Sequence, residues 1–315
     1  PGRYPETPQS DLFINDGKGK FSIDSGQSTE FTEAGMISDA VWVDLNADGL
    51  QDLITIGEWM PVKIFINEKG KLVDHSGQFL TEPSEGWWNC LLAHDFDNDG
   101  DPDFVIGNNG LNHQMNVSRD QPASLTYFDF DSNNSVDPLL TYFVQGVTYP
   151  YATRDELTEQ LPSFKKRFTD YKSYSTAKLD KGVLTSEEIR VAKKLSAYRM
   201  ETSYLRNDRG KLTFVKMPTE IQFAPVFAMT SMDVNRDGHD DLVTGGNLTA
   251  TRARTGSLTG NNGFIFLGDG KGNFRFLPAA QSGLRLSGDV RKMTSRGSGL
   301  IVGCNNDSLR VFQLR

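Results

Sequence analysis

One acidic pattern of nine residues recurs four times in this chain, each time between two runs of strand-forming residues. The copies are DLNADGLQD (44–52), DFDNDGDPD (95–103), DFDSNNSVD (129–137) and DVNRDGHDD (233–241). Side chains at positions 1, 3, 5 and 9, with a main-chain carbonyl at 7, are the ligand spacing of the first part of a calcium loop. Glycine at position 6 permits the tight reversal. In the third copy Asn134 fills that slot, and Asn tolerates a left-handed backbone better than other non-glycine residues. Two carboxylates ~4 Å apart repel by about 4 kcal/mol at an effective dielectric of 20. A hard divalent cation relieves that repulsion. The predicted ligands are Asp44, Asn46, Asp48, Leu50 and Asp52; Asp95, Asp97, Asp99, Asp101 and Asp103; Asp129, Asp131, Asn133, Ser135 and Asp137; and Asp233, Asn235, Asp237, His239 and Asp241. Leu50, Asp101, Ser135 and His239 contribute only their carbonyls. A helix–loop–helix calcium site is excluded: it needs Glu at position 12, where the densest copy has Ile106 within an apolar strand. Asp95–Asp103, with four carboxylates among its side-chain positions, is expected to bind most tightly, and the glycine-free loop at Asp129 most weakly.

A second repeat accompanies the first. LFINDGKGKF (12–21), IFINEKGKL (64–72), YLRNDRGKLTF (204–214) and IFLGDGKGNF (264–274) each read as strand, glycine-bearing turn, strand. Strand, acidic loop, strand and hairpin make four strands per unit. Four-stranded units repeating at roughly 50 residues are the signature of propeller blades. The spacing is uneven, and the blade with the densest loop lacks a clear outer hairpin directly after it. The last unit has TSRGSG where the aspartates should be, so no calcium is expected there.

The DxDxDGxxDL loop with the LFxNDGxGxF hairpin resembles the FG-GAP/VCBS repeats of bacterial secreted and surface proteins, whose blade type also builds the integrin α-subunit propeller. The resemblance covers the chain outside about 150–200. It implies an all-β fold, a β-propeller of four-stranded blades that binds Ca2+, and a secreted, periplasmic or cell-surface location. One propeller spanning 1–315 is expected, either closed at about five blades, with 10–23 completing the last, or part of a larger ring. The fold alone assigns no activity.

Residues 150–200 break the β pattern. Thr153 with Glu156, and Thr185 with Glu188, form capping boxes, so a small helical insertion is expected, with Leu184, Ile189 and Leu195 on its apolar face. Strand direction places this insertion and the longest polar loops at the blade ends away from the acidic loops. Trp59, Trp87, Trp88, Arg119, Arg252 and Arg254 collect there as candidate ligand-binding residues, because aromatics beside arginine suit a sugar ring and its carboxylate. Packing of the tryptophans between blades is the alternative.

The net charge of −8 argues against a nucleic-acid partner, and no apolar run approaches the ~18 residues of a membrane span. Cys90 and Cys304 are expected as free thiols, with a bridge between them as the alternative. No nucleophile elbow, phosphate loop or zinc motif is present, so no catalytic residues are assigned. The expected function is recognition of a protein or glycan by a calcium-stabilised scaffold. The alternative is a carbohydrate-active enzyme of polysaccharide-lyase type.

Overall fold

The structure is a computed structural model that describes residues 2–28 and 34–313. It is all-β, with several antiparallel sheets and a few short helices. The chain divides into two compact units. One comprises Pro1–Met36, Pro83–Gly86 and Gln114–Arg199; the other comprises Ile37–Glu82, Trp87–His113 and Met200–Arg315.

The second unit holds four sheets. The first follows the path Met36–Val43, Asp52–Met60, Lys63–Glu68, Lys71–Asp74. The second is Cys90–His94, Asp103–Gly107, Ser203–Asp208, Lys211–Val215. The third is Val226–Met232, Asp241–Gly246, Phe264–Gly268, Phe274–Leu277, and the fourth has three strands, Val290–Arg296, Gly299–Cys304 and Arg310–Gln313. In the first three an acidic loop joins strands one and two, and a hairpin supplies strands three and four.

Each sheet buries a face on the next. Ile54, Ile56, Ile64 and Trp88 pack with Phe104, Ile106 and Leu205 between the first two sheets. Val105 and Tyr204 meet Val226, Leu242 and Phe266 between the second and third. Val243, Ile265, Val290 and Val302 fill the third junction. The second strand of each of the first three sheets carries the apolar run read from the sequence, and Asp103–Gly107 and Asp241–Gly246 are buried throughout. Strands covered on both faces need such continuous apolar stretches rather than alternation. A polar contact, His94 Nε2 to Asp240 Oδ2 at 2.7 Å, also ties the second sheet to the third.

The outer hairpin missing after the densest loop is found far downstream: 203–215 pairs with Asp103–Gly107, Leu205 opposite Phe104. The chain leaves the second sheet after its second strand and returns to finish it. Asn108 N–H donates to Thr202 Oγ1 (3.0 Å), and buried Gln222 clasps Thr202 through both amide atoms (2.9 and 2.8 Å), so departure and return are stapled together.

The first unit carries the third acidic loop. Its sheet runs Val147–Pro150, Asp137–Val144, Ala123–Phe128, Lys193–Ala197. Both capping boxes form, at Thr153 for helix Arg154–Gln160 and at Thr185 for helix Ser186–Val191. The expected apolar face is only partly realised. Leu184 is buried, but Ile189 is exposed, and Leu195 lies in a strand opposite Leu125. The helix stops at Val191 because the chain turns extended at Ala192 to join the sheet. The small core uses Leu139, Leu157, Leu161, Phe164, Phe168 and Val183 instead. The first hairpin, Phe13–Asn15 with Phe21–Ile23, forms a two-stranded sheet whose residues are all exposed. No helix among the described residues is long and apolar enough to cross a membrane.

Candidate metal centres

The four acidic loops share one backbone. Position 4 is left-handed in each (Ala47, Asn98, Ser132 and Arg236, φ 58–61°), and so is position 6 (Gly49, Gly100, Asn134 and Gly238, φ 84°, 96°, 65° and 88°). Asn134 therefore does the work of glycine. The requirement at position 4 escaped the sequence reading, because four different residue types meet it.

Within this backbone each carboxylate has a fixed task. The position 1 aspartate accepts the N–H of position 6 in all four loops: Gly49 to Asp44, Gly100 to Asp95, Asn134 to Asp129 and Gly238 to Asp233, at 2.9–3.1 Å. The position 5 side chain accepts the N–H of position 7. Position 9 is buried in all four. Its Oδ2 closes the loop by accepting the N–H of position 2, at Leu45, Phe96, Phe130 and Val234. In the three loops of the second unit its Oδ1 reaches the outer hairpin, accepting from Asn67 (2.8 Å), Asn207 (2.8 Å) and Gly268 (2.9 Å). Position 9 is thus also a clasp between loop and third strand. The recurrent Asn before the hairpin turn was the available signal: Asn67 and Asn207 each donate Nδ2 to the carbonyl before the clasp aspartate and cap their own turn.

The loops differ at position 3. Asn46 and Asn235 donate their amides to Asp48 and Asp237 (3.1 and 2.8 Å), neutralising part of the charge internally. Aspartate at this position cannot donate. Among the described residues, Asp95 Oδ1, Asp97 Oδ1 and Asp131 Oδ1 are buried oxygens without a hydrogen-bond partner. Oxygens of Asp95, Asp97 and Asp99 lie within 4.8 Å of one another, as do those of Asp129, Asp131 and Asp137. The 129–137 loop, expected to be weakest, thus has one such oxygen where 95–103 has two. Burial, then the charges of Asp103 and Asp99, push Asp97 up to about 6. Burial likewise raises Asp103, Asp137 and Asp241, whereas the His239 N–H leads the contacts that lower exposed Asp237. Hydrogen-bond donors already hold these carboxylates in place, and the oxygens left over are hard anionic ligands, the set that Ca2+ takes.

The candidate ligand-binding residues are placed differently from one another. Trp88 is 0% exposed, stacked on Phe214 with ring centroids 6.4 Å apart. Trp59 is buried with its ring edge-on to half-buried Trp87 at 5.0 Å. A surface of three exposed tryptophans therefore does not form: Trp88 fills the junction between the first two sheets, and Trp59 packs edge-on to Trp87. The exposed tryptophan is Trp42, at 47%, on the first strand of the first sheet. Arg252 and Arg254 are exposed on the loop that Leu248 and Leu258 close, while Arg119 belongs to the other unit. Cys90 and Cys304 are both free; Cys90 is buried, which raises its thiol pKa.

A family model described as an FG-GAP-like repeat matches residues 44–106, which hold the first two acidic loops and the strands between them. No curated protein matches the chain. Among solved structures, the V. cholerae biofilm matrix protein Bap1 aligns with 98% of this chain and 69% of its own at 9% identity and a TM-score of 0.32.

Proposed function

We propose that this chain is a calcium-stabilised scaffold or recognition module that works outside the cytoplasm, with its four-stranded sheets as propeller blades. The observation that carries the reading is the pair of buried, unpartnered oxygens on Asp95 and Asp97, with a third on Asp131 in another loop of the same backbone. Unpaired buried carboxylate oxygens are costly, and a bound cation would remove that cost where no protein donor does. Calcium is favoured over magnesium because each loop offers more oxygens than the one or two carboxylates by which magnesium is usually held. Several sites of modest charge suit the millimolar calcium found outside cells. Asp95, Asp97 and Asp99, with the Asp101 carbonyl, and Asp129, Asp131 and Asp137, with the Ser135 carbonyl, would hold it. The Asn-bearing loops at 44–52 and 233–241 would bind more weakly.

In this reading calcium holds loops and hairpins in register while other surfaces meet a protein or glycan. Arg252 and Arg254 remain the candidate contacts, and Trp88 is assigned to the core. Calorimetric titration of metal-free protein with calcium, then magnesium, tests the proposal together with melting curves. Calcium should bind at more than one site and raise the melting temperature, with magnesium less effective. No heat and no shift would overturn the cation reading. Release of unsaturated uronate from an acidic polysaccharide would replace the scaffold role with lyase chemistry.

A further inference from the structure

We infer that the 95–103 loop is a cation-operated latch on the strand that returns after residues 114–199, with Tyr204 as its positioning residue. The inference rests on the reading that this loop takes calcium. The returning hairpin reaches the loop by four bonds: Tyr204 Oη to Asp103 Oδ2 (2.5 Å), Asn207 N–H to Asp103 Oδ1 (2.8 Å), Asn207 Nδ2 to the Pro102 carbonyl (3.2 Å) and Arg209 N–H to Asp101 Oδ2 (3.0 Å).

The hydroxyl is peculiar to this sheet. Tyr204 pairs with Val105, two residues beyond Asp103; the matching positions beyond Asp52 and Asp241 pair with Ile64 and Ile265. Asp103 therefore accepts three donors where Asp52 and Asp241 accept two. The third donor sits where charge is densest, since 95–103 carries five aspartates. It fixes the direction of the carboxylate. In the first and third sheets the hairpin follows its loop directly. Here the third strand must find its place after a long excursion. Asp103 is bonded both to the loop, through Phe96 N–H, and to that strand, so the loop geometry that a cation would fix is the one on which the strand docks, and each must strengthen the other by the same factor.

Tyr204→Phe keeps the buried ring and leaves Asp103 the two donors that suffice for Asp52 and Asp241, so the fold should survive. The measurement is amide hydrogen exchange across a calcium titration, in wild type and variant. In wild type the amides of Leu205, Asn207 and Arg209 should become protected as calcium is added. In the variant the midpoint should move to about 10–100-fold higher calcium, the size expected for one charge-assisted bond. The hairpins 63–74 and 264–277 should keep wild-type midpoints. A purely structural hydroxyl would lower protection at every calcium concentration and leave the midpoint in place, which overturns the latch. So does a calcium response elsewhere that omits 203–215. Absence of any calcium response overturns the latch and the cation reading together.

Discussion

The backbone N–H of Gly110 donates to the carbonyl of Met200 across 2.8 Å, joining the points where the chain leaves the second sheet and comes back to it. Leu111 N–H reaches the Gln222 carbonyl (2.9 Å), and Val226 N–H reaches that of Asn108 (3.0 Å). Gln222 is buried between these segments with both side-chain polar atoms engaged. Closure therefore depends on residues of the second unit alone. Replacing 114–199 by a short glycine-serine linker should leave a chain that melts in one cooperative transition and still responds to calcium. Loss of cooperativity would show that the excised segment is required for the rest to fold. Gln222→Ala in the full chain should cost about 2–4 kcal/mol, because Thr202 loses two buried partners; chemical denaturation measures it.

How much of this was legible can be followed through particular residues. The acidic loops, their flanking strands and all four hairpins were readable, because alternate aspartates, glycine turns and apolar runs are local signals. That 203–208 pairs with 103–107 was not, since sheet partners separated by a whole compact unit leave no mark in local periodicity. Leu195 was misplaced on a helix for a related reason: the capping box at Thr185 marks where a helix starts, but pairing with Leu125 decides the strand. At the loops the ligand spacing was visible. The clasp by position 9 was hidden, because an aspartate that binds a cation and one that binds a hairpin N–H look alike in sequence.

Trp88 shows the same limit from the other side. An aromatic next to polar loops reads equally as a sugar platform or as core, and burial against Phe214 makes it core. Trp88→Ala should lower stability by about 3–5 kcal/mol, as for other large-to-small core substitutions. Urea denaturation is the check. A variant of wild-type stability would return Trp88 to the candidate binding surface.

The clasp has an energetic consequence that needs no metal. Asp241→Ala leaves the Val234 and Gly268 N–H groups without their acceptor. The expected loss is about 2–4 kcal/mol in metal-free protein, where relief of a buried charge offsets part of the cost. Asp241→Asn keeps one acceptor and should lose less, about 1–2 kcal/mol. If both variants match wild type without metal, the position acts through the cation alone.

The loops also predict how stability follows pH, with opposite signs in the two metal states. Asp97 is raised from 3.8 to about 6, chiefly by burial and then by Asp103 and Asp99. Between those values the folded, metal-free chain holds a proton that the unfolded chain has released. By linkage, stability then falls as pH rises through the window and grows as pH falls from about 7 toward 5. Calcium bound as proposed would invert this, because it takes only ionised carboxylates and protons compete with it. His75, raised first by its hydrogen bond to Glu68, titrates nearby but lies in a hairpin strand's sequel rather than among the loop ligands. Its contribution is lost with rising pH in both metal states, so it cancels in their difference. The gap in melting temperature between calcium-loaded and dialysed metal-free protein should therefore narrow steadily from about pH 7.5 to about pH 5. A gap that stays constant would place the titrating groups outside the loops, and one that widens would reverse the sign assigned to Asp97.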